Sequence, residues 1–233
     1  MENNCILDRI ESLQEKIYLG MVKAGRDASD IKVMAVTKNA SISQIVQSRE
    51  AGIDLFGENY LKDAKEKIAS LTQTENFLSE QFHMIGHLQT NKVKKAVSLF
   101  YSIDSIDSIK IAKEVAAQVI NTSKPYPIMI EVKTSVDENK FGFLPDRIID
   151  DFGEILSFPE LEIQGLMTIG SLSGSYNEAK RCFASLYQTK VKIEQCYHYK
   201  IPCLSMGMSD DYAIAIEEGS NMLRIGRAIF GGL

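Results

Sequence analysis

Lys38 closes the run KVMAVTK and is the first residue placed to do chemistry. An amine ending an otherwise apolar strand is costly to bury without a partner. Partial burial favours its neutral form, which condenses with an aldehyde to a Schiff base. A rim lysine in solvent, or a structural ion pair, is the competing reading. A second feature lies near the other end. SMGMSDD puts Gly207 and Ser209 between a strand and a helix, and RIGRAIFGG puts Gly226 at the end of the next strand. Glycines let a ligand approach the backbone, and helix-start N–H groups favour an anion. Ser209 adds a hydroxyl, and Arg227 adds a charged fork or a backbone donor. Phosphate is the anion that suits this set, and ordinary tight turns are the alternative. No GxGxxG opens a βαβ unit and no GxxxxGK[ST] is present, which counts against dinucleotides and P-loop nucleotides. Arg224, inside the last strand, needs an acceptor if it points inward. A carboxylate or the nitrogen of a ligand ring would serve equally well.

Other reactive types are less organised. His83 and His87 are four apart, but Gly86 breaks the strand between them and there is no HExxH. Zinc is not expected; His87 reads as a polar group near a pocket and His83 as structural. Glu58, Glu131 and Asp137 fall near strand ends, yet spacing alone cannot bring two carboxylates together. No GxSxG elbow marks a nucleophile. Gln89, Thr90, Asn91 and Lys92 form a polar rim, and Lys92, Lys94 and Lys95 read as the solvated face of a short helix.

These residues are positioned by a regular alternation. Ile6, Ile10, Leu13, Ile17 and Met21 recur three or four apart and predict an N-terminal helix from residue 6 to about 25. Strands are predicted at Lys32–Lys38, Ile53–Asn59, Phe82–Gly86, Leu99–Asp104, Ile128–Thr134, Leu161–Ile169, Ile201–Gly207 and Asn221–Gly226. Helices are predicted between them: one capped by Ser41, then Leu61–Leu71, Asn91–Val97, Ser108–Val119, Pro145–Phe158, Glu178–Cys196 and Asp210–Glu218, the last capped by Ser209 or Asp210. Thr72–Glu80 reads as a connection. Strands apolar on both parities suit a parallel sheet covered by helices. The expected fold is α/β, a single (β/α)8 TIM-type barrel over residues 1–233, with a doubly wound open sheet as the rival. In a barrel, active residues sit after the strands, so Lys38, Glu58, Asn59, His87, Lys133, Ser171, Met208, Ser209, Gly226 and Arg227 would share one rim.

The 233 residues carry a net charge of -5, which does not favour nucleic acid or an anionic membrane. The four cysteines form no CxxC pair, and the N-terminus lacks the apolar core of a signal peptide. A reduced, cytoplasmic protein is expected.

The blocks AVTKN, LFGENY, FHMIGHLQTNKVK, ENKFGF, GLMTIG, LSMGMSDDYAIAIEEGSNMLRIG and AIFG occur in this order from about Val33 to Gly231. In combination they resemble the YggS/PROSC family, the pyridoxal phosphate homeostasis proteins. The resemblance implies a barrel related to the N-terminal barrel of alanine racemase, with pyridoxal 5′-phosphate as cofactor. It implies that Lys38 carries the cofactor as a Schiff base and that Asn59 lies in the pocket. Ser209, Gly226 and Arg227 match the phosphate region, with Gly207 and Met208 shaping it. Arg224 matches the arginine facing the pyridine nitrogen, and His87 is adjacent. Arg227 stands where many relatives carry serine or threonine, and ENKFGF departs from the commoner K-S-G-F form. Alanine racemase uses a second domain and a tyrosine base, and no room for either is expected after Leu233. The family role is non-catalytic: a monomer that binds the cofactor and exchanges it with recipient enzymes or free amino acids. A weak racemase or lyase and a cofactor-responsive regulator are the alternatives.

Overall fold

The computed structural model describes residues 5–27, 30–120, 123–170 and 175–231. Eight strands alternate with helices: β1 (Lys32–Val36), β2 (Leu55–Glu58), β3 (Phe82–Met84), β4 (Ser102–Ile106), β5 (Tyr126–Glu131), β6 (Leu161–Met167), β7 (Cys203–Ser205) and β8 (Met222–Ile225). All neighbours pair in parallel, and β8 returns to β1 with Met34 opposite Arg224, so the sheet closes as a barrel. That settles the choice between a closed barrel and an open sheet.

The helices are α1 (Ile6–Lys23), α2 (Ile42–Glu50), α3 (Leu61–Thr74), α4 (Val93–Val97), α5 (Ile109–Gln118), α6 (Pro145–Leu156), α7 (Tyr176–Tyr197), α8 (Tyr212–Glu217) and α9 (Arg227–Phe230). The five residues that predicted α1 are the ones it buries. Ser41 caps α2 in a reciprocal box: its hydroxyl accepts from Gln44 N at 3.2 Å, and the Gln44 side chain accepts from Ser41 N at 2.9 Å. Pro145 opens α6, where the missing N–H costs nothing. His198 ends α7 in the left-handed conformation, φ 51°. Ile229 of α9 is buried in the core, so the C-terminal tail helps close the structure as expected.

Apolar burial is divided between two regions. The larger lies between sheet and helices, and a small one fills the barrel with Met34, Ile85, Met129, Met167 and Met222. Adaptable methionines suit an irregular barrel interior.

Several boundaries differ from expectation. α3 continues to Thr74, and a 3-10 turn occupies Ser79–Gln81, inside the stretch read as a connection. The fourth strand starts at Ser102, because Leu99–Tyr101 completes the turn after α4, with Phe100 N bonded to Ala96 O at 2.9 Å. The fifth begins at Tyr126 and ends at Glu131.

Candidate functional site

Lys38 follows β1 in a turn. Met34 and Val36 belong to the barrel interior, and Thr37 N carries the ladder one step further by donating to Gly57 O at 2.9 Å. Lys38 therefore stands two residues beyond the strand, at the C-terminal end of β1. The residue is exposed, not partly buried.

Below this rim lies a charged pair of positions. Arg224 is 4% exposed, with Nη1 donating to Ser205 Oγ at 2.7 Å and Nη2 to Thr168 O at 2.8 Å. Both acceptors are neutral, and among the described residues no carboxylate ion-pairs with it. The expected choice between a carboxylate and a ligand is thus answered in part by a hydroxyl and a carbonyl. Among the described residues, three of the five guanidinium N–H groups have no partner. Glu131, on β5, is 5% exposed, and burial pushes its carboxyl up to about 8. Asp107 adds to the rise, whereas Arg224 and Lys140 oppose it. Glu131 is therefore largely neutral near pH 7.

The third corner is built from two turns. Gly207 has φ +98°, and an added Cβ would lie 2.6 Å from Ala215 Cβ. Its carbonyl accepts from Arg224 N at 2.9 Å, tying this turn to β8. Asp211 Oδ1 accepts from Met208 N at 2.5 Å. Ser209 Oγ accepts from Ala228 N at 3.1 Å, so its hydroxyl serves α9 and not α8, whose expected cap it is not. Asp210 does not cap α8 either; it ion-pairs with Arg227 at the surface. The ion pair ties the Arg227 side chain to the outer, exposed side of this turn, while its backbone N–H opens α9 beside Gly226. Gly226 has only Val36 atoms, at 3.5 Å, near its Cβ position, so its surroundings stay open.

The remaining expected residues separate. Asn59 shares the inner face with Gly57, and its Oδ1 is buried without a partner. Glu58 points the other way: Lys67 Nζ is 2.7 Å from its Oε1 and Thr37 Oγ1 is 2.8 Å away. It fastens α3 to the barrel and does not reach the mouth. His87 is exposed, 2.8 Å from Asp107 and stacked on Phe141 with ring centroids 3.5 Å apart. His83 is buried against Asp104 at 2.9 Å. Asp137 caps its own turn by accepting from Asn139 N, and Lys133 donates to Glu138 O. Ser171 lies outside the described residues. The sequence reading missed Lys140, whose ammonium binds the carbonyls of Ile169 and Gly170 and whose burial lowers its pKa. It also missed the Ser205 and Thr168 partners of Arg224. Neither has a local sequence signal, because each contact joins distant segments.

The family model of the alanine racemase N-terminal domain matches residues 21–233. A pyridoxal phosphate homeostasis protein of Vibrio cholerae is 34% identical over 226 residues, covering 97% of this chain and 95% of that protein. This chain belongs to the pyridoxal phosphate homeostasis protein family. Among solved structures, an unknown protein from Bifidobacterium adolescentis superposes with a TM-score of 0.89 at 30% identity, covering 97% of this chain and 94% of that one. PipY of Synechococcus elongatus with PLP bound gives 0.84 at 27% identity, covering 97% and 100%. The family resemblance read from the motif blocks is thus confirmed over nearly the whole chain. Alanine racemase of Corynebacterium glutamicum, 18% identical with a TM-score of 0.69, shares the fold, and this chain spans 61% of its length.

Proposed function

We propose that this chain holds pyridoxal 5′-phosphate reversibly at the barrel mouth and serves vitamin B6 and amino-acid homeostasis without substrate turnover. The observation that carries the reading is Arg224, a buried guanidinium held by two neutral acceptors with donors to spare. The residues fit the cofactor on a second observation too. The partnerless Asn59 Oδ1 is costly as it stands, and a polar ligand group satisfies it, directly or with the amide turned. The names of the relatives and the PLP-bound PipY structure support the same choice.

When bound, the cofactor supplies an aldehyde that condenses reversibly with a primary amine. Lys38 offers that amine from the C-terminal end of β1. Ser209, through its free hydroxyl hydrogen, and the backbone N–H groups of Gly226 and Arg227 hold the phosphate, with Gly207 and Met208 shaping the turn. Arg224 would hold the ring nitrogen and keep its own protons, since a guanidinium stays cationic at physiological pH. Such a donor would leave the ring nitrogen unprotonated and a weak electron sink, which suits holding over carbanion chemistry. His87 stays beside the pocket, oriented by Asp107 and Phe141.

In this reading residues 1–233 act as one monomeric unit in the cytoplasm. The cofactor is exchanged with free amino acids or recipient enzymes. No helix among the described residues is long and apolar enough to cross a membrane. The test is a titration of the purified protein with pyridoxal 5′-phosphate, followed by visible absorbance, beside Arg224→Met. Saturable binding, weakened about tenfold or more in the variant, is the expected result. No spectral change in a folded wild type at large excess would refute the reading.

A further inference from the structure

Beside the barrel mouth a half-open groove of about 1070 Å³ runs between α3 and the segment leading into α4. Lys62 and Lys65 form one wall, and Lys92 and Lys95 form the other. Lys92 and Lys95 read in the sequence as a solvated face; the fold sets two more lysines across from them. Leu61 and Leu99, both half-buried, contribute apolar surface, and Asn59 and His87 join the groove to the mouth.

The charge on this groove is unusual for the molecule. The chain has a net charge of -5, yet four lysines and only one acid, Glu66, line the groove. Elsewhere some lysines have counter-ions, such as Lys67 with Glu58, Lys23 with Glu217, Lys180 with Glu218 and Lys190 with Glu194, and others stand singly; the grouping of four around one groove is what sets this place apart. Among the described residues none of the four groove lysines makes an ion pair or a side-chain hydrogen bond. Four solvent-exposed ammonium groups with one carboxylate beside them leave a local positive field that an anionic occupant would complement.

The occupant can be narrowed by size and field. The groove is at or above the upper end for small-ligand pockets, which run to roughly 1,000 Å³, and its side is open. An extended segment fills such a shape better than a single phosphate. The negative net charge opposes long nucleic acid or an anionic bilayer, whose fields reach the whole protein. A short acidic segment meets only the local charge, and leucine-like side chains can use the apolar surface.

We propose that this groove docks an acidic, leucine-bearing segment of a partner protein next to the cofactor mouth. Its meaning as a delivery surface rests on the cofactor reading above, whereas docking itself does not. The test uses a short fluorescein-labelled peptide of glutamate and leucine, followed by fluorescence anisotropy on the full chain. Two quadruple variants are compared: Lys62→Gln/Lys65→Gln/Lys92→Gln/Lys95→Gln, and a control with equal charge loss, Lys16→Gln/Lys180→Gln/Lys192→Gln/Lys200→Gln. Saturable binding that falls about tenfold or more in the groove variant but not in the control supports the proposal. Absent binding, equal loss in both variants, or pyrophosphate binding as tightly as the peptide would overturn it. Circular dichroism excludes unfolding of the groove variant, with single lysine substitutions replacing it if it unfolds. The same titrations on Lys38→Ala without cofactor separate docking from cofactor binding: peptide binding that survives there stands even if Lys38 carries nothing.

Discussion

Glu131→Gln should make the protein more stable at alkaline pH. The carboxyl is ordinarily near 4.5 and is pushed up to about 8 in the fold, chiefly by burial. For an acid whose pKa is raised, the folded state keeps a proton that the unfolded chain has already lost. Stability is then fully present below about pH 4.5 and is lost as pH rises towards the folded value of about 8. The slope between the two is about 1.4 kcal/mol per pH unit, so the full loss is roughly 5 kcal/mol. About half of it accumulates between about pH 6 and about pH 9. Glutamine keeps the shape and hydrogen-bonding ends but cannot ionise. Urea unfolding followed by circular dichroism across this range, wild type beside Glu131→Gln, isolates the one group because all other titrations are shared. The stability difference should grow by roughly 2–3 kcal/mol in favour of the variant from about pH 6 to about pH 9. Parallel pH profiles would refute the argument, for they would mean that Glu131 ionises in the fold as easily as in water.

Gly207→Ala should cost roughly 3 kcal/mol in urea unfolding, since φ +98° strains an alanine and its methyl would meet Ala215. Asn59→Ala should leave the stability of the cofactor-free protein within about 1 kcal/mol, because the lost oxygen has no partner. The same change should weaken pyridoxal 5′-phosphate about tenfold by spectroscopic titration.

The barrel was legible because its signal is repeated. Eight apolar runs, each followed by a polar or glycine position, specify strand count and rim together. The misplaced boundaries share a cause. Leu99, Phe100 and Tyr101 are apolar because they pack beneath a turn, and composition cannot separate that from a strand start. Tyr126 and Pro127 precede the strand predicted at Ile128, yet Tyr126 begins β5, with its hydroxyl donating to Phe100 O at 2.6 Å. In the candidate site, positions after strand ends could be located from the sequence: Lys38, Asn59, Ser209 and Gly226 follow β1, β2, β7 and β8. Facing could not. Glu58 sits one residue from Asn59 and points to the helix layer, and a strand buried on both sides carries no alternation to reveal that. Long-range partners were hidden for the same reason, as with Arg224 and Thr168, which are 56 residues apart.

The proposed role of Lys38, to carry the cofactor, has a direct test. Incubation with pyridoxal 5′-phosphate, reduction with borohydride and peptide mass spectrometry would test it on wild type and folded Lys38→Ala. The expected result is a phosphopyridoxyl group on Lys38 in the wild type, with no comparable modification of the variant at matched cofactor. A reduced adduct placed on another lysine, at equal yield in both proteins, would contradict it.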